Sequence, residues 1–329
     1  MIYPWQQHQW QLLQSQLQNN SLHHAFLLSG SKGLGKLDFA REFARVLLCK
    51  NSNNAPCNSC DSCKWSVSGE HPDMFYLTAL EKSKIIKVDQ IRGLITDLAA
   101  TSHQGGYQVV IVNPADSLAL SSANALLKTL EEPMGRVVFL LVTTQANNIP
   151  ATIISRCQLV PFKMQHYEEA LTWVRQQLPN VQSQDAAILL RVSHGSPLQA
   201  VSYDGLGYMN IFKSLLADLC DLSKRSVDVV AVASRAAKQD VLLLLGIFAD
   251  ILSDMIKLYS NADVCHLMFQ GHEDRLRSLV VNTSFVQLSF CFDQVVRFRD
   301  LLRVSSSVNT LLLLESLFIQ WAQVFLKSR

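Results

Sequence analysis

The sequence is short of charge. Charged side chains make up 17% of its 329 residues, against roughly a quarter in an average globular protein, and the formal net charge is only +2. This balance excludes a strongly basic chain that binds nucleic acid over its whole surface, although a local basic patch remains compatible with it. The shortage of polar surface indicates that partner proteins cover part of the chain.

Targeting segments are missing as well. The N-terminus, MIYPWQQHQW, has no basic stretch followed by an apolar run, so we expect no signal peptide. The most apolar segment, residues 241–258, is interrupted by Asp250, Asp254 and Lys257, whereas a membrane-spanning helix needs about 20 apolar residues. We therefore expect a buried helix in a cytoplasmic protein that has no membrane contact.

In the first half of the chain, strand-like and helix-like segments alternate. This alternation predicts a parallel β-sheet covered by helices on both faces, and hence an α/β domain. The pattern predicts buried strands at 24–29, 109–112 and 137–142, a short apolar run at 74–77, and helices at 36–48, 88–99 and 121–132.

Beyond Pro161 the pattern changes to helices, and no further buried strand is expected. Helical segments are predicted at 168–178, 184–192 and 197–203, and long leucine-rich stretches follow them. We therefore predict three domains: an α/β domain at 1–164, a small helical domain at 165–205 and a second all-α domain at 206–329.

Residues 30–37, GSKGLGKL, match the phosphate-loop pattern G-x-x-x-x-G-K and depart from it at the final hydroxyl position. A strand should precede this loop and a helix should follow it, as the pattern requires. Gly30, Gly33 and Gly35 would let backbone N–H groups surround a phosphate, which Lys36 would neutralise. Leu37 stands where Ser or Thr would bind Mg²⁺. A glycine-rich turn of chance origin is the alternative.

The second magnesium element of such a site is also missing. An acidic pair should follow the strand at 109–112, but the sequence there is Asn113-Pro114-Ala115-Asp116. Asp116 comes three residues late, and a turn or helix-capping role accounts for it. Hydrolysis needs a placed metal and an oriented water. The residues therefore allow ATP or ADP to bind, but they predict neither Mg²⁺ binding nor turnover.

Four of the eight cysteines form a cluster: Cys49, Cys57, Cys60 and Cys63. Residues 51–56 are a flexible connection that lets the chain fold back, and four thiolates suit a closed, structural Zn²⁺ site. An iron–sulfur cluster would need a further cysteine and a proline, and Val67 stands there instead. Iron–sulfur and unligated thiols are the alternatives. Because no basic recognition helix accompanies the cluster, it is interpreted as stabilising an insertion.

Ser155-Arg156-Cys157 follows the third predicted strand and the polar pair Thr143-Thr144. A surface arginine is usually only a solvated charge. In a phosphate-loop fold, however, an arginine here could reach the γ-phosphate of a neighbouring subunit and stabilise charge in the transition state. These residues alone leave both interpretations open.

The run 123–133, ANALLKTLEEP, taken with Thr143-Thr144 and Ser155-Arg156-Cys157, strongly resembles the AAA+ clamp-loader subunits of bacterial DNA polymerase III. Four cysteines inserted after the phosphate-loop helix belong to the bacterial members. The C-terminal residues Asn309, Leu312 and Glu315 resemble their collar domain. The resemblance covers nearly the whole chain.

The resemblance implies an AAA+ phosphate-loop domain, a helical lid and a collar for oligomerisation. It also implies partners: gamma/tau and delta subunits in a hetero-pentameric ring that loads the sliding clamp on primed DNA. The ATP-hydrolysing gamma/tau subunits keep the loop hydroxyl and the acidic pair, and they place a phosphate-sensing arginine where this chain has Leu198.

A component of the DNA-directed DNA polymerase holoenzyme with no catalytic activity of its own is therefore expected. Its Arg156 would act in trans on the ATP of a gamma/tau neighbour. Thr143 or Thr144 would be the remnant of a phosphate sensor, unless both are ordinary strand residues. The alternatives are a genuine Mg²⁺-dependent ATPase with an unusual metal site and a zinc-dependent DNA-binding protein.

Overall fold

The computed structural model describes residues 2–51, 55–80, 83, 85–103, 106–164, 167–304 and 308–325. The chain divides into two compact units, Met1–Ala170 and Leu171–Arg329. Half of the predicted connection at 51–56, namely residues 52–54, and the start of the predicted lid at 165–166 lie outside the described residues.

The first unit is built on a five-stranded parallel sheet. Its strands are β1 (Ala25–Gly30), β2 (Met74–Leu77), β3 (Gln108–Val112), β4 (Val137–Thr143) and β5 (Gln158–Phe162). They lie in the order β2-β3-β4-β1-β5, and all neighbouring pairs are parallel. β3 and β4 are buried along their whole length, as strands covered on both faces should be. The predicted α/β class is confirmed.

Helices cover both faces of this sheet. They are α1 (Gln7–Gln18), α2 (Lys36–Leu48), α3 (Asp61–Ser68), α4 (Val88–Leu98), α5 (Leu120–Glu131) and α6 (Ala151–Ile154). On one face, Leu13 of α1 and Phe43 of α2 lie in a buried cluster with the sheet. On the other face, Ile91, Leu126 and Ile153 supply the apolar stripes of α4, α5 and α6. These five helices thus bury their apolar sides against the sheet, whereas α3 packs on α2.

β5 was not predicted from the sequence. It pairs with β1 at the edge of the sheet, where Pro161 lies opposite Ser29 and Leu159 is 52% exposed. An edge strand tolerates proline because it needs hydrogen bonds on one side only. Its mixed burial and its proline hide the strand pattern.

The regular structure described in the second unit is helical, as predicted. Its helices are α7 (Tyr167–Gln177, which begins in the first unit), α8 (Ser183–Val192), α9 (Pro197–Gly205), α10 (Tyr208–Lys224), α11 (Val229–Ala236), α12 (Val241–Tyr259), α13 (Glu273–Val280), α14 (Phe285–Val304) and α15 (Thr310–Val324). α12 lies at the centre and contacts α10, α13 and α14. The division of this unit after residue 205 stays a prediction.

A buried carboxylate in the second unit joins α12 to the segment that follows it. The carboxylate of Asp254 is fully buried in α12 and accepts hydrogen bonds from the backbone N–H groups of Met268 (2.8 Å) and Phe269 (2.9 Å). Lys257 Nζ adds a charged donor at 3.0 Å. A buried carboxylate with three donors is satisfied, and it fixes the segment after α12 against that helix.

Among the described residues, no single helix is long and apolar enough to cross a membrane. The pair Glu273–Val280 and Phe285–Val304 reaches the required length and hydropathy only when taken together, and its two helices meet at a bend of 112°.

Candidate functional site: a phosphate loop, a cysteine cluster and a surface arginine

The phosphate loop connects β1 directly to α2. At Gly30, where β1 ends, any Cβ atom would lie 2.2 Å from the carbonyl oxygen of Phe162 on β5. At Gly35 the backbone is left-handed (φ +75°), and a Cβ atom would lie 2.5 Å from the ring of Tyr3. Glycine is required at both positions, by close packing at the first and by packing and conformation at the second.

Lys36 opens α2 and turns back over the loop. Its side chain is 5% exposed, and Nζ donates to the carbonyl oxygens of Gly30 and Ser31, each at 2.6 Å. Burial lowers the pKa of Lys36 to about 8, and the nearby Asp116 carboxylate partly opposes that change. The ammonium group that would meet a phosphate is thus bonded within its own loop.

Leu37 takes part in packing. Its half-buried side chain contacts the apolar cluster that contains Phe39 and Phe43. A leucine side chain has no oxygen with which to bind Mg²⁺, and this one joins the core of the domain instead.

The ends of β3 and β4 bring a carboxylate and a hydroxyl beside the loop. Thr143, fully buried at the end of β4, lies opposite Ser29 of β1. Its Oγ1 donates to Asp116 Oδ1 at 2.8 Å, and the backbone N–H of Thr144 donates to the same oxygen at 3.4 Å. Asp116 lies in a short turn, as expected, but its hydrogen bond with Thr143 and its effect on the pKa of Lys36 were missed because linear spacing does not show where that turn points.

Tyr3, Trp5 and Gln6 of the N-terminal segment pack against the loop and its helix, and sequence reasoning also missed these contacts. Trp5 Nε1 donates to the carbonyl oxygen of Leu34 at 3.1 Å. Gln6 Nε2 donates to Leu34 O at 2.8 Å and to Gly35 O at 2.9 Å. Tyr3 donates its hydroxyl to Asp38 at 3.2 Å. Burial, with Asp38 as a second cause, raises the pKa of Tyr3 to about 12. These side chains hold the loop in its present conformation.

The four clustered cysteines come together after α2. Their sulfur atoms lie within 4.8 Å of one another, and Cys57 Sγ and Cys63 Sγ are 3.9 Å apart. In a tetrahedral zinc site with Zn–S distances of about 2.3 Å, neighbouring sulfurs are separated by about 3.8 Å. Cys49, Cys57, Cys60 and Cys63 can therefore hold a metal ion such as zinc.

Backbone contacts shape this cluster. Cys60 caps α3 by accepting from the N–H of Cys63 at 3.4 Å, and Cys49 Sγ accepts from the N–H of Cys57 at 3.4 Å. A hydrogen bond from Ser59 is the main cause that lowers the pKa of Cys57 to about 5, whereas burial raises the pKa of Cys63 to about 12. A bound divalent cation would hold all four as thiolates.

A buried histidine joins α3 to the rest of the first unit. His71 Nδ1 accepts from the backbone N–H of Asp73 at 3.0 Å, so its Nε2 carries the proton and donates to Ser62 Oγ at 2.7 Å. Ser62 in turn donates to the carbonyl oxygen of Leu48 at the end of α2. Burial lowers the pKa of His71. This chain of bonds fixes the cysteine-bearing segment to the phosphate-loop helix.

Arg156 follows α6 and lies partly at the surface, 32% exposed. Its Nη1 donates to the carbonyl oxygen of Thr152 at 2.9 Å and to Ser155 Oγ at 3.3 Å, and its Nη2 forms an ion pair with Glu131 of α5. The next residue, Cys157, packs into the buried cluster of the sheet, and burial raises its pKa to about 12. Cys157 thus anchors the segment while Arg156 faces outward.

The remaining predicted position, Leu198, belongs to the second unit. It lies half-buried in the first turn of α9, directly after the Ser196–Pro197 helix start. Its side chain has no polar group with which to bind a phosphate.

Comparison with known families matches two segments of the chain. Residues 5–166 match the family described as DNA polymerase III, delta subunit, and residues 207–323 match the family described as DNA polymerase III, delta subunit, C terminal. Residues 167–206, between the two segments, cover most of the predicted lid.

Curated proteins give the same result over the full length. The chain is 32% identical to DNA polymerase III subunit delta' of Pseudomonas aeruginosa, over 98% of each protein. It is 29% identical to the delta' subunit of Haemophilus influenzae, over 81% of this chain and 82% of that protein. It is also 33% identical to subunit tau of Escherichia coli, over 60% of this chain and 31% of the much longer tau.

Proposed function

Because the chain belongs to the family of delta-prime subunits of DNA polymerase III, we propose that it serves DNA replication as a clamp-loader subunit that does not hydrolyse ATP. In this role it supplies Arg156 to the ATP site of a neighbouring gamma/tau-type subunit. The relatedness of the chain to tau subunits supports a ring of homologous clamp-loader subunits.

The state of the phosphate loop carries the first half of this proposal. The Lys36 ammonium is bonded to its own loop carbonyls, and Leu37 packs into the core. The Asp116 carboxylate accepts from Thr143 and Thr144. Hydrolysis needs a placed metal ion and an oriented water. Leu37 offers no ligand for the metal, and Asp116 lies three residues after the position of the acidic pair.

The position of Arg156 supports the second half. Its side chain is partly exposed after the short helix α6, and Ile153 in that helix and Cys157 after the arginine pack into the buried cluster of the sheet. Arginine binds phosphate oxygens with a planar pair of donors, and in related enzymes an arginine from a neighbouring subunit stabilises the charge that develops on the γ-phosphate.

The other features have structural roles in this proposal. Cys49, Cys57, Cys60 and Cys63 bind one Zn²⁺ that stabilises the insertion after α2. Residues 165–205 form the lid, and residues 206–329 form the collar that joins the chain to gamma/tau and delta subunits in a hetero-pentameric ring. The assembled ring, rather than this chain alone, acts on the sliding clamp and primed DNA.

An ATPase assay tests the proposal. The isolated chain should release no phosphate from ATP above background in the presence of Mg²⁺, and it should co-purify with a gamma/tau-type partner. In the rebuilt complex, Arg156→Ala should lower turnover by about 1,000-fold. Arg156→Lys, which keeps the charge but loses the planar fork, should recover only part of that loss. Steady Mg²⁺-dependent turnover by the isolated chain would contradict the proposal and support an ATPase with an unusual metal site.

A further inference from the structure

The guanidinium of Arg156 bridges the short helix α6 and the C-terminal end of α5. Its Nη1 donates to the carbonyl oxygen of Thr152 in α6 at 2.9 Å. Its Nη2 donates to the carboxylate of Glu131, the last residue of α5. Two anchors on different nitrogens fix the plane of a guanidinium, which a single anchor cannot do.

Glu131 stands at a position that its own helix disfavours. The C-terminal end of a helix carries a partial negative charge, so a carboxylate in the last turn is unfavourable there unless a cation lies beside it. Arg156 is that cation. Both side chains are partly exposed, Glu131 by 48% and Arg156 by 32%, and an ion pair this accessible contributes little to folding stability. Orientation of the arginine is therefore the better account of the pair.

We infer that Glu131 is a positioning residue for Arg156: it holds the guanidinium in the orientation that meets the neighbouring subunit's ATP. The inference rests on the proposed function, since it needs Arg156 to act in trans. Without Glu131, Arg156 keeps only its contacts with Thr152 and Ser155 on one nitrogen, and the side chain samples other rotamers. A small misplacement of a charge-stabilising group can cost up to about 100-fold in rate.

The test uses the complex rebuilt with a gamma/tau-type ATPase, the sliding clamp and primed DNA, and it measures kcat and KM for ATP. Glu131→Ala should lower kcat by about tenfold and change KM much less. Glu131→Gln, which keeps an oxygen acceptor but no charge, should give an intermediate kcat.

Glu132 offers a matched control. It is the neighbouring carboxylate on the same helix end, is exposed, and forms no ion pair within the part of the chain that the structure describes. Glu132→Ala and Glu132→Gln should leave kcat unchanged. All four variants should have wild-type melting temperatures and assemble into the complex, which excludes a folding effect.

A double substitution separates the inference from the function on which it rests. In an Arg156→Ala background, Glu131→Ala should cause no further loss, because the residue acts only through Arg156. If Arg156→Ala alone has no effect, the proposed function fails. If Arg156→Ala lowers kcat but Glu131→Ala does not, or if Glu131→Ala lowers it equally in both backgrounds, the positioning role of Glu131 is wrong.

Discussion

At the scale of single residues, the phosphate loop shows how a nucleotide site can be held by its own chain. Lys36 donates to carbonyl oxygens of its own loop, and Thr143 donates to Asp116 beside it. Trp5 and Gln6 add donors from the N-terminal segment. The loop is therefore bonded both to its own lysine and to the N-terminal segment.

The lowered pKa of Lys36 should make the free energy of unfolding depend on pH. Its folded-state pKa of about 8 lies below its unfolded value, so between pH 8 and pH 10.5 the unfolded chain binds more protons and stability rises with pH. The free energy of unfolding of the wild type, relative to Lys36→Met, should increase by about 2 to 3 kcal/mol from pH 7 to pH 10.5. Denaturant unfolding at a series of pH values measures this difference.

Lys32→Met is the control for that series, because Lys32 is an exposed lysine of the same loop. A difference between wild type and Lys36→Met that stays flat over this pH range would show that Lys36 is not desolvated, and the account of a closed loop would then be wrong.

Gly35 should be costly to replace. Gly35→Ala should lower the free energy of unfolding by about 2 to 4 kcal/mol, since the left-handed backbone costs roughly 1 kcal/mol and the overlap with Tyr3 adds more. Gly207→Ala isolates the backbone effect: Gly207 has φ +71°, and a Cβ atom there would meet no neighbour within 4 Å. Equal losses of unfolding free energy in the two variants would show that Tyr3 does not pack closely against Gly35.

At the scale of elements, the sequence predicted α2, α4, α5 and most of the sheet because their patterns are local, whereas α1 and α3 were not predicted. α2 follows from its apolar spacing, and β3 and β4 follow from uninterrupted apolar runs. β5 escaped prediction because Pro161 and the exposed Leu159 mask an edge strand. The contacts of Trp5 and Gln6 with the loop join residues about 28 positions apart through polar side chains, and no periodicity in the sequence reports such contacts.

We expect α3 to be the element whose folding depends most on a bound metal. It has eight residues, begins within the cysteine cluster, and is too short to be stable on its own. We predict one zinc per chain by metal analysis. Cys57→Ser should abolish it and expose residues near α3 to protease, while the parallel sheet stays folded.

Cys220→Ser, a substitution in α10 outside the cluster, is the control and should retain the zinc. Iron together with sulfide in the purified protein would favour the iron–sulfur alternative. Protein that contains neither metal yet keeps α3 protected would contradict a structural metal site.

At the scale of the whole molecule, the candidate site residues and the all-helical part lie in different units. The first unit contains the loop, the cysteine cluster and Arg156. The second unit is built around α12. Its residues 207–323 match the family of the delta subunit's C-terminal part. In the proposed function, the chemistry lies at Arg156 in the first unit, and the phosphate loop of the same unit serves as scaffold.

The most direct test compares Lys36→Ala with Arg156→Ala in the rebuilt complex, with ATP turnover as the readout. If the chain's own loop is idle and its arginine serves the neighbour, Lys36→Ala will turn over ATP at the wild-type rate while Arg156→Ala loses about 1,000-fold. Loss of turnover with Lys36→Ala, together with a wild-type rate for Arg156→Ala, would contradict the account.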